Sequence, residues 1–366
     1  MVFFNDSERD AHSERDINDE PVINTSPAYS ETETPVLPRA ANYRITTDHI
    51  GEGGAKARFR YNIAAIRTLK QIDEENRSAT PSEQEILAQY VGWGGLPQAF
   101  DERNQDWRRE YEQLKEILSD AEYDAARSST LNAHYTSPEV IKAIYSTLEN
   151  MGIRGGDVLE PAVGTGRFFG LLPESMAGSR LFGVELDSIT GKIAKLLYPD
   201  AHIEIKGYED TVFKDNSFDI AIGNVPFGSY KVADREYNHL GFNIHDYFIA
   251  KTLDKVKPGG MIAFITTKGT LDKKSPEVRR YLAQRAELLG AIRLPNNAFM
   301  QSANTGVTTD ILFLRKLDEG RIQEKEPDWV YLGYTNDKIP VNKFFADNPH
   351  MMLGSMAYTR HFRQAV

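Results

Sequence analysis

The chain has 366 residues, 40% hydrophobic and 10% aromatic, which allows two or three domains and a sizeable core. It contains no cysteine, which excludes disulfides, thiolate catalysis and cysteine-type zinc sites and fits a reducing cytoplasm. Of the formal net charge of −10, −6 falls in residues 1–40, where nine acids face three arginines, so the overall sign neither supports nor excludes a nucleic-acid substrate.

No run approaches the roughly 18 apolar residues of a membrane span, and the charged start lacks the apolar segment of a signal peptide. Residues 1–40 are acidic and rich in Ser, Thr and Pro, and are expected to be a disordered tail. Residues 41–129 read as mostly helical. In "TPSEQEILAQYV", Thr80 is placed as N-cap, Pro81 at the first helical position and Glu83 as the partner in a capping box. "GWGGLPQAFD" breaks that helix at Gly92, and the glycines around Trp93 read as a packed turn. "DWRREYEQLKEIL" then has apolar residues at helical spacing.

From residue 130 the pattern changes to alternating strands and helices. The helix "SPEVIKAIYSTLENMG" leads to the strand "DVLEPA", a glycine-bearing loop with a helical segment, and the strand "RLFGVELD". The helix "SITGKIAKLLYP" precedes the strands "HIEIKG" and "FDIAIGN". The helix "HDYFIAKTLDKVKPGG" precedes "MIAFIT", and the helix "SPEVRRYLAQRAEL" precedes "LGAIRLP". "DILFLRK" comes last. Several of these strands are continuous apolar runs, the pattern of a parallel sheet covered on both faces. The expected fold class is α/β, a doubly wound, mostly parallel, Rossmann-like sheet over residues 130–317 with an N-terminal helical region. The last two strands have no helix between them and are expected to pair antiparallel at the sheet edge. Residues 318–366 form a less regular C-terminal extension.

"VLEPAVGTGRFFG" places Glu160 at the end of the first strand, followed by Pro161 and by Gly164 and Gly166, where a bare backbone lets a ligand come close. Glu185 ends the second strand, nineteen residues after Gly166, where a carboxylate can accept hydrogen bonds from ribose hydroxyls. The glycine spacing is one residue longer than the dinucleotide fingerprint, and S-adenosylmethionine has no pyrophosphate to cradle.

"DIAIGNVPFGSY" ends the fourth strand on Asn224, Val225, Pro226 and Phe227. Ligands of such sheets bind outside the carboxyl ends of the strands, so this segment should face the cofactor crevice. The exocyclic amine of a purine is a poor nucleophile because its lone pair is delocalised into the ring. Two acceptors, the Asn224 side-chain carbonyl and the Val225 backbone carbonyl, could hold its two hydrogens and favour a tetrahedral nitrogen. Pro226 keeps Val225 extended, and Phe227 offers a face for stacking. Nothing here ionises, so catalysis would rest on positioning and fixed dipoles.

"GNVPFG" resembles motif IV of the amino-methyltransferases, usually Asn/Asp/Ser-Pro-Pro-aromatic, and "LEPAVGTGRF" resembles their motif I. "HYTSPEVI" resembles the N-terminal cofactor motif of N6-adenine DNA methyltransferases. "VGWGGLPQAFD" and "GAIRLPNNAF" further resemble the methylase portion of very large methylase-helicase proteins of phages and mobile elements. The resemblance implies a class I methyltransferase that uses S-adenosylmethionine to methylate adenine N6 in DNA. It implies a cytoplasmic setting in a bacterium or phage, a restriction-modification or defence role, and helicase or other domains of a larger system as partners. Thr136 would then contact the methionine end of the cofactor, and Tyr135 beside it would also bind the cofactor. Glu160, Pro161, Gly164 and Gly166 would form its pocket, Glu185 would hold the ribose, Glu209 would lie near the adenine, and Asn224 would touch both cofactor and target. Thr136 with Glu139 also reads as a capping box. Val225 departs from the usual proline, which keeps the carbonyl but adds an N–H.

An adenine must leave the duplex, or be single-stranded, to reach such a pocket. Phe227, Lys231, Arg235 and Tyr237 are the expected substrate-binding residues, while Lys268, Lys273 and Lys274 read equally well as a solvated loop. His245 reads as a helix-start or crevice residue, with no metal expected. Two alternatives stand beside the DNA reading: a methyltransferase of the same fold acting on RNA or protein glutamine, and a catalytically weak cofactor- or DNA-binding module of a larger assembly.

Overall fold

The computed structural model describes residues 40–130, 135–296, 298, 308–318, 320–321 and 325–357, so all of the expected N-terminal tail except Ala40 lies outside the described residues. Seven strands build one sheet. They are β1 (Asp157–Glu160), β2 (Arg180–Glu185), β3 (His202–Ile205), β4 (Phe218–Asn224), β5 (Val256–Thr267), β6 (Ala286–Leu294) and β7 (Thr309–Lys316). Their order is β3-β2-β1-β4-β5-β7-β6. The first five pair in parallel, and β7 runs antiparallel to both β5 and β6. The expected reversed strand is therefore present, inserted between β5 and β6.

Successive residues of a strand point to opposite faces, and here both faces are buried. On β4, Ile220 and Ile222 enter one apolar cluster while Ala221 enters the other. Ala263 and Ile265 of β5 join the first cluster, and Ile262 and Phe264 join the second. This explains why these strands read as continuous apolar runs.

The first face is covered by the N-terminal helices α1 (Ala55–Glu74), α2 (Pro81–Ala88), α3 (Arg108–Ile117) and α4 (Asp120–Ser129), together with α5 (Pro138–Asn150) and α7 (Ser188–Leu197). A four-residue helix, α6 (Arg167–Gly170), follows the turn after β1. The second face is covered by α8 (Ile244–Lys255), α9 (Gly269–Asp272) and α10 (Glu277–Ala283), with Trp329, Val330, Val341 and Phe345 of the C-terminal extension. Among the described residues, no helix is long and apolar enough to cross a membrane.

Local chemistry sets several boundaries. Thr80 and Glu83 form the expected capping box at the start of α2, a device contributing about 1 kcal/mol. The capping box expected of Thr136 and Glu139 is absent. Ser137 occupies the N-cap of α5 without a side-chain cap bond, so Glu139 stands one position too early to close a box. The helix expected over 275–288 stops at Ala283, because Ala286–Leu288 already pair with β7. β5 starts five residues before Met261, at Val256, and a register shift against β4 absorbs the "KPGG" irregularity.

The loop after β4 is anchored by a buried ion pair. Lys251 of α8 donates to Asp234 at 2.9 Å, and both side chains are nearly inaccessible. Asp234 also accepts from Tyr247 Oη at 2.7 Å, and Lys251 Nζ reaches the carbonyl of Glu209 at 3.3 Å. Removing one member leaves the other charge buried alone. Lys251→Met should therefore lower the unfolding free energy by about 3 kcal/mol. Urea denaturation checks this, and an unchanged midpoint would show that the loop is anchored otherwise.

Candidate active site and cofactor cavity

A cavity of about 770 Å³ opens at the carboxyl ends of β1, β2 and β4. The strand order leaves β1 toward both sides, to β2 and to β4, which makes this edge the expected crevice of an open α/β sheet. The turn after β1 forms the floor. Gly164 has φ +56°, and its N–H donates to Glu185 Oε2 at 2.9 Å. Glu185 Oε1 accepts the N–H of Asp187 at 2.8 Å. One carboxylate thus joins the turns that follow β1 and β2, and each of its oxygens keeps acceptor capacity for a ligand.

Glu160 reaches the cavity from the end of β1. A side chain on its neighbour Gly223 would come within 3.1 Å of Glu160 Cγ, so the glycine near the end of β4 leaves the room that Glu160 fills. Glu160 is 2% exposed, and its Oε2 has no hydrogen-bond partner among the described residues. Burial, with the charge of Glu185 added, pushes its carboxyl well above the ordinary range. Burial pushes Glu185 up to about 7, against the backbone N–H bonds that favour its charged form.

Asn224 and Val225 end β4 at the same cavity, followed by Pro226 and Phe227. The Asn224 side-chain oxygen is buried. Val225 is 2% exposed, and its N–H donates to the Ile265 carbonyl at 3.1 Å. The N–H that a proline would lack thus extends the ladder between β4 and β5 by one bond.

Of the residues expected from the sequence, Tyr135, Thr136, Glu160, Pro161, Gly164 and Glu185 line the cavity. So do Glu209, Asn224, Val225, Pro226, Phe227 and Lys231. Gly166, Arg235 and Tyr237 are not in its wall. Gly166, at φ +79°, packs closely, since a Cβ there would lie 2.3 Å from the Tyr198 ring. Arg235 is exposed. Tyr237 is buried, and its hydroxyl donates to Asp254 at 2.6 Å. His245 is the second residue of α8, and Lys273 pairs with the buried Asp246 beside it.

The sequence reading missed one wall. Tyr90, Gly92, Ser128 and Ser129 of the N-terminal region also line the cavity. Buried Asn62 of α1 holds their turn, accepting from Val91 N at 2.9 Å and donating to the Gly92 carbonyl at 2.5 Å. Gln84 of α2 ties the same region to α7 by donating to the Leu196 carbonyl at 3.0 Å. Arg167, just after the glycine turn, was missed as well. The sequence did show the turn at Gly92, but nothing local signals that it meets the sheet edge.

Residues 111–337 match the family described as N-6 DNA Methylase. "Defense against restriction protein B" of Escherichia phage P1 is 28% identical over 272 residues, 73% of this chain but 10% of that protein. "Modification methylase CviBIII" of Paramecium bursaria Chlorella virus NC1A is 24% identical over 161 residues, 42% of this chain and 43% of that protein. The chain thus spans less than half the length of either relative. Among solved structures, a modification subunit of a putative type I restriction enzyme from Vibrio vulnificus YJ016 aligns at 15% identity and a TM-score of 0.44, covering 81% of this chain and 93% of that one.

Two outcomes test the geometry. A carboxyl whose pKa is raised by folding binds protons in the folded state, so its burial costs stability as pH rises above its ordinary value of 4.5. Glu160→Gln should raise the urea midpoint of the ligand-free protein at pH 8, with the gap to wild type closing as pH falls to 4.5. A gap that does not change with pH would contradict an ionisable Glu160 as its source. Val225→Pro removes the bond to Ile265, and should cost about 1 kcal/mol in the same assay.

Proposed function

Because the chain belongs to the N-6 DNA methylase family, we propose that it transfers a methyl group from S-adenosylmethionine to the N6 amine of adenine in DNA. One observation carries this reading: Asn224, Val225, Pro226 and Phe227 line the same cavity as Glu160, Gly164 and Glu185. The acceptor pair for an amine and the acidic, glycine-bearing cofactor turn thus share one space.

The residues present fit this cofactor. A buried carboxylate without a partner, Glu160, suits a ligand carrying positive charge, which S-adenosylmethionine has on its sulfonium and its ammonium. The Glu185 carboxylate suits the two ribose hydroxyls, and Glu209 stands beside Gly207 for the adenine. Tyr135 and Thr136 complete the methionine end. When bound, S-adenosylmethionine supplies an electrophilic methyl group.

The chain's own groups prepare the nucleophile. Asn224 Oδ1 and the Val225 carbonyl accept the two N–H hydrogens of the target amine, which favours a tetrahedral nitrogen whose lone pair is withdrawn from the ring. The backbone that carries both groups is held by the β4–β5 ladder before the substrate arrives, which limits reorganisation at the Val225 carbonyl. Phe227 stacks on the base, which must first leave its duplex. Lys231, exposed at the cavity edge, suits a nearby phosphate. The name of the phage P1 relative, and its far greater length, support a role as the DNA-marking part of a larger system concerned with restriction.

The test uses radiolabelled S-adenosylmethionine with unmethylated DNA, RNA and total protein in separate reactions. Label should enter DNA as N6-methyladenine. Asn224→Ala should slow transfer by about 10²- to 10³-fold, the usual effect of removing one fixed dipole from a reacting centre. Label in RNA or protein alone would overturn the substrate, and full activity in the variant would overturn the role of Asn224.

A further inference from the structure

Arg167 is a charged group in the cavity that the function proposed above does not use. It opens α6, directly after the glycine turn, and lines the cavity. Its guanidinium lies against the Tyr135 ring, 4.7 Å from the centroid. One terminal nitrogen donates to the Thr136 carbonyl and the other to the Ile50 carbonyl, each at 3.4 Å. Both bonds are long for N–H to oxygen contacts. The remaining nitrogen, Nε, is buried with no partner among the described residues. A guanidinium offers five N–H groups, so most of its donor capacity is unspent.

Arg167 is half-buried, and an anion would suit its unspent donors. A buried guanidinium ordinarily pairs with a carboxylate, because an unpaired charge away from water is costly. Among the described residues, no carboxylate forms an ion pair with Arg167. Glu160, in the same cavity, presents the opposite imbalance, a buried carboxylate oxygen without a donor. The two do not compensate each other: burial lowers the Arg167 pKa with only Tyr135 and Tyr198 acting against it, and the charge felt by Glu160 is that of Glu185. One cavity thus holds guanidinium N–H donors and a carboxyl oxygen that do not meet each other. A ligand that satisfies both must offer an acceptor to the one and a donor to the other, as an α-amino acid group does.

We propose that Arg167 binds the carboxylate of the methionine moiety of S-adenosylmethionine, while Glu160 faces its ammonium. This inference rests on the cofactor reading given above. The flat face of Tyr135 and the two backbone carbonyls fix the plane of the guanidinium, so its fork is set before the ligand arrives. The arrangement selects for the zwitterion. A ligand with the ammonium but no carboxylate would leave Arg167 as it stands.

Decarboxylated S-adenosylmethionine, which keeps the sulfonium, the amine and the nucleoside, is the discriminating probe. Binding of both ligands is measured by calorimetry with the full chain, in the absence of DNA. Wild type should bind S-adenosylmethionine about 10- to 100-fold more tightly than the decarboxylated compound, the range for a charged hydrogen-bonded pair. Arg167→Met should lose that preference, keeping its affinity for the decarboxylated ligand within about threefold. Arg167→Lys keeps the charge but not the fork, and should retain an intermediate preference. If Arg167→Met does not fold, the lysine variant decides the matter. Equal affinity of wild type for the two ligands, or equal losses for both in the variants, would overturn the assignment and leave Arg167 a packing residue. Failure of wild type to bind either compound would instead overturn the cofactor reading beneath it.

Discussion

The Glu185 carboxylate holds the floor of the cavity together. Its two oxygens take the N–H groups of Gly164 and Asp187, so the turns after β1 and β2 are fixed against each other by one half-buried carboxyl group. The same placement puts negative charge beside Glu160, in a space whose remaining wall is largely apolar. The Glu185 charge thus adds to the cost of ionising Glu160.

The segment proposed to be catalytic depends on the same edge. β4 lies beside β1, and Gly223 near its end makes room for Glu160. Asn224 then comes at the last position of the strand, opposite Ile265 of β5, and the Val225 N–H carries the pairing one residue further. The backbone of this segment is therefore held by a ladder. Behind them, Lys251 connects the loop after β4, through Asp234, with the turn carrying Glu209. The loop after β4 and the turn carrying Glu209 are thus joined through one buried ammonium group.

The substitution of valine for the usual proline has a physical account in this arrangement. Proline would fix the backbone by its ring and would lack the N–H. Valine reaches the same restriction by another route: a hydrogen bond to β5, a side chain buried in the core, and Pro226 following it. The carbonyl is retained in either case.

Local patterns in the sequence determined the architecture. Continuous apolar runs separated by amphipathic helices specified a covered parallel sheet, and the missing helix after "LGAIRLP" specified the reversed strand. Glycines and acids at strand ends marked Glu160, Gly164, Glu185 and Asn224, since turn chemistry and strand termini are written within a few residues. Contacts between distant segments were decided only by tertiary packing. The placement of Tyr90, Gly92 and Ser129 in the cavity depends on α1 and α2 docking on α7, and a helix's own periodicity says which face is buried but not what lies beneath it. Gly166 had the same local signature as Gly164, yet only the fold showed the Tyr198 ring packed beside it. Arg167 and Tyr237 followed the same rule. One carries an unspent charge in the cavity and the other is tied to Asp254, because a side chain's partner is set by the fold around it and not by its neighbours in sequence.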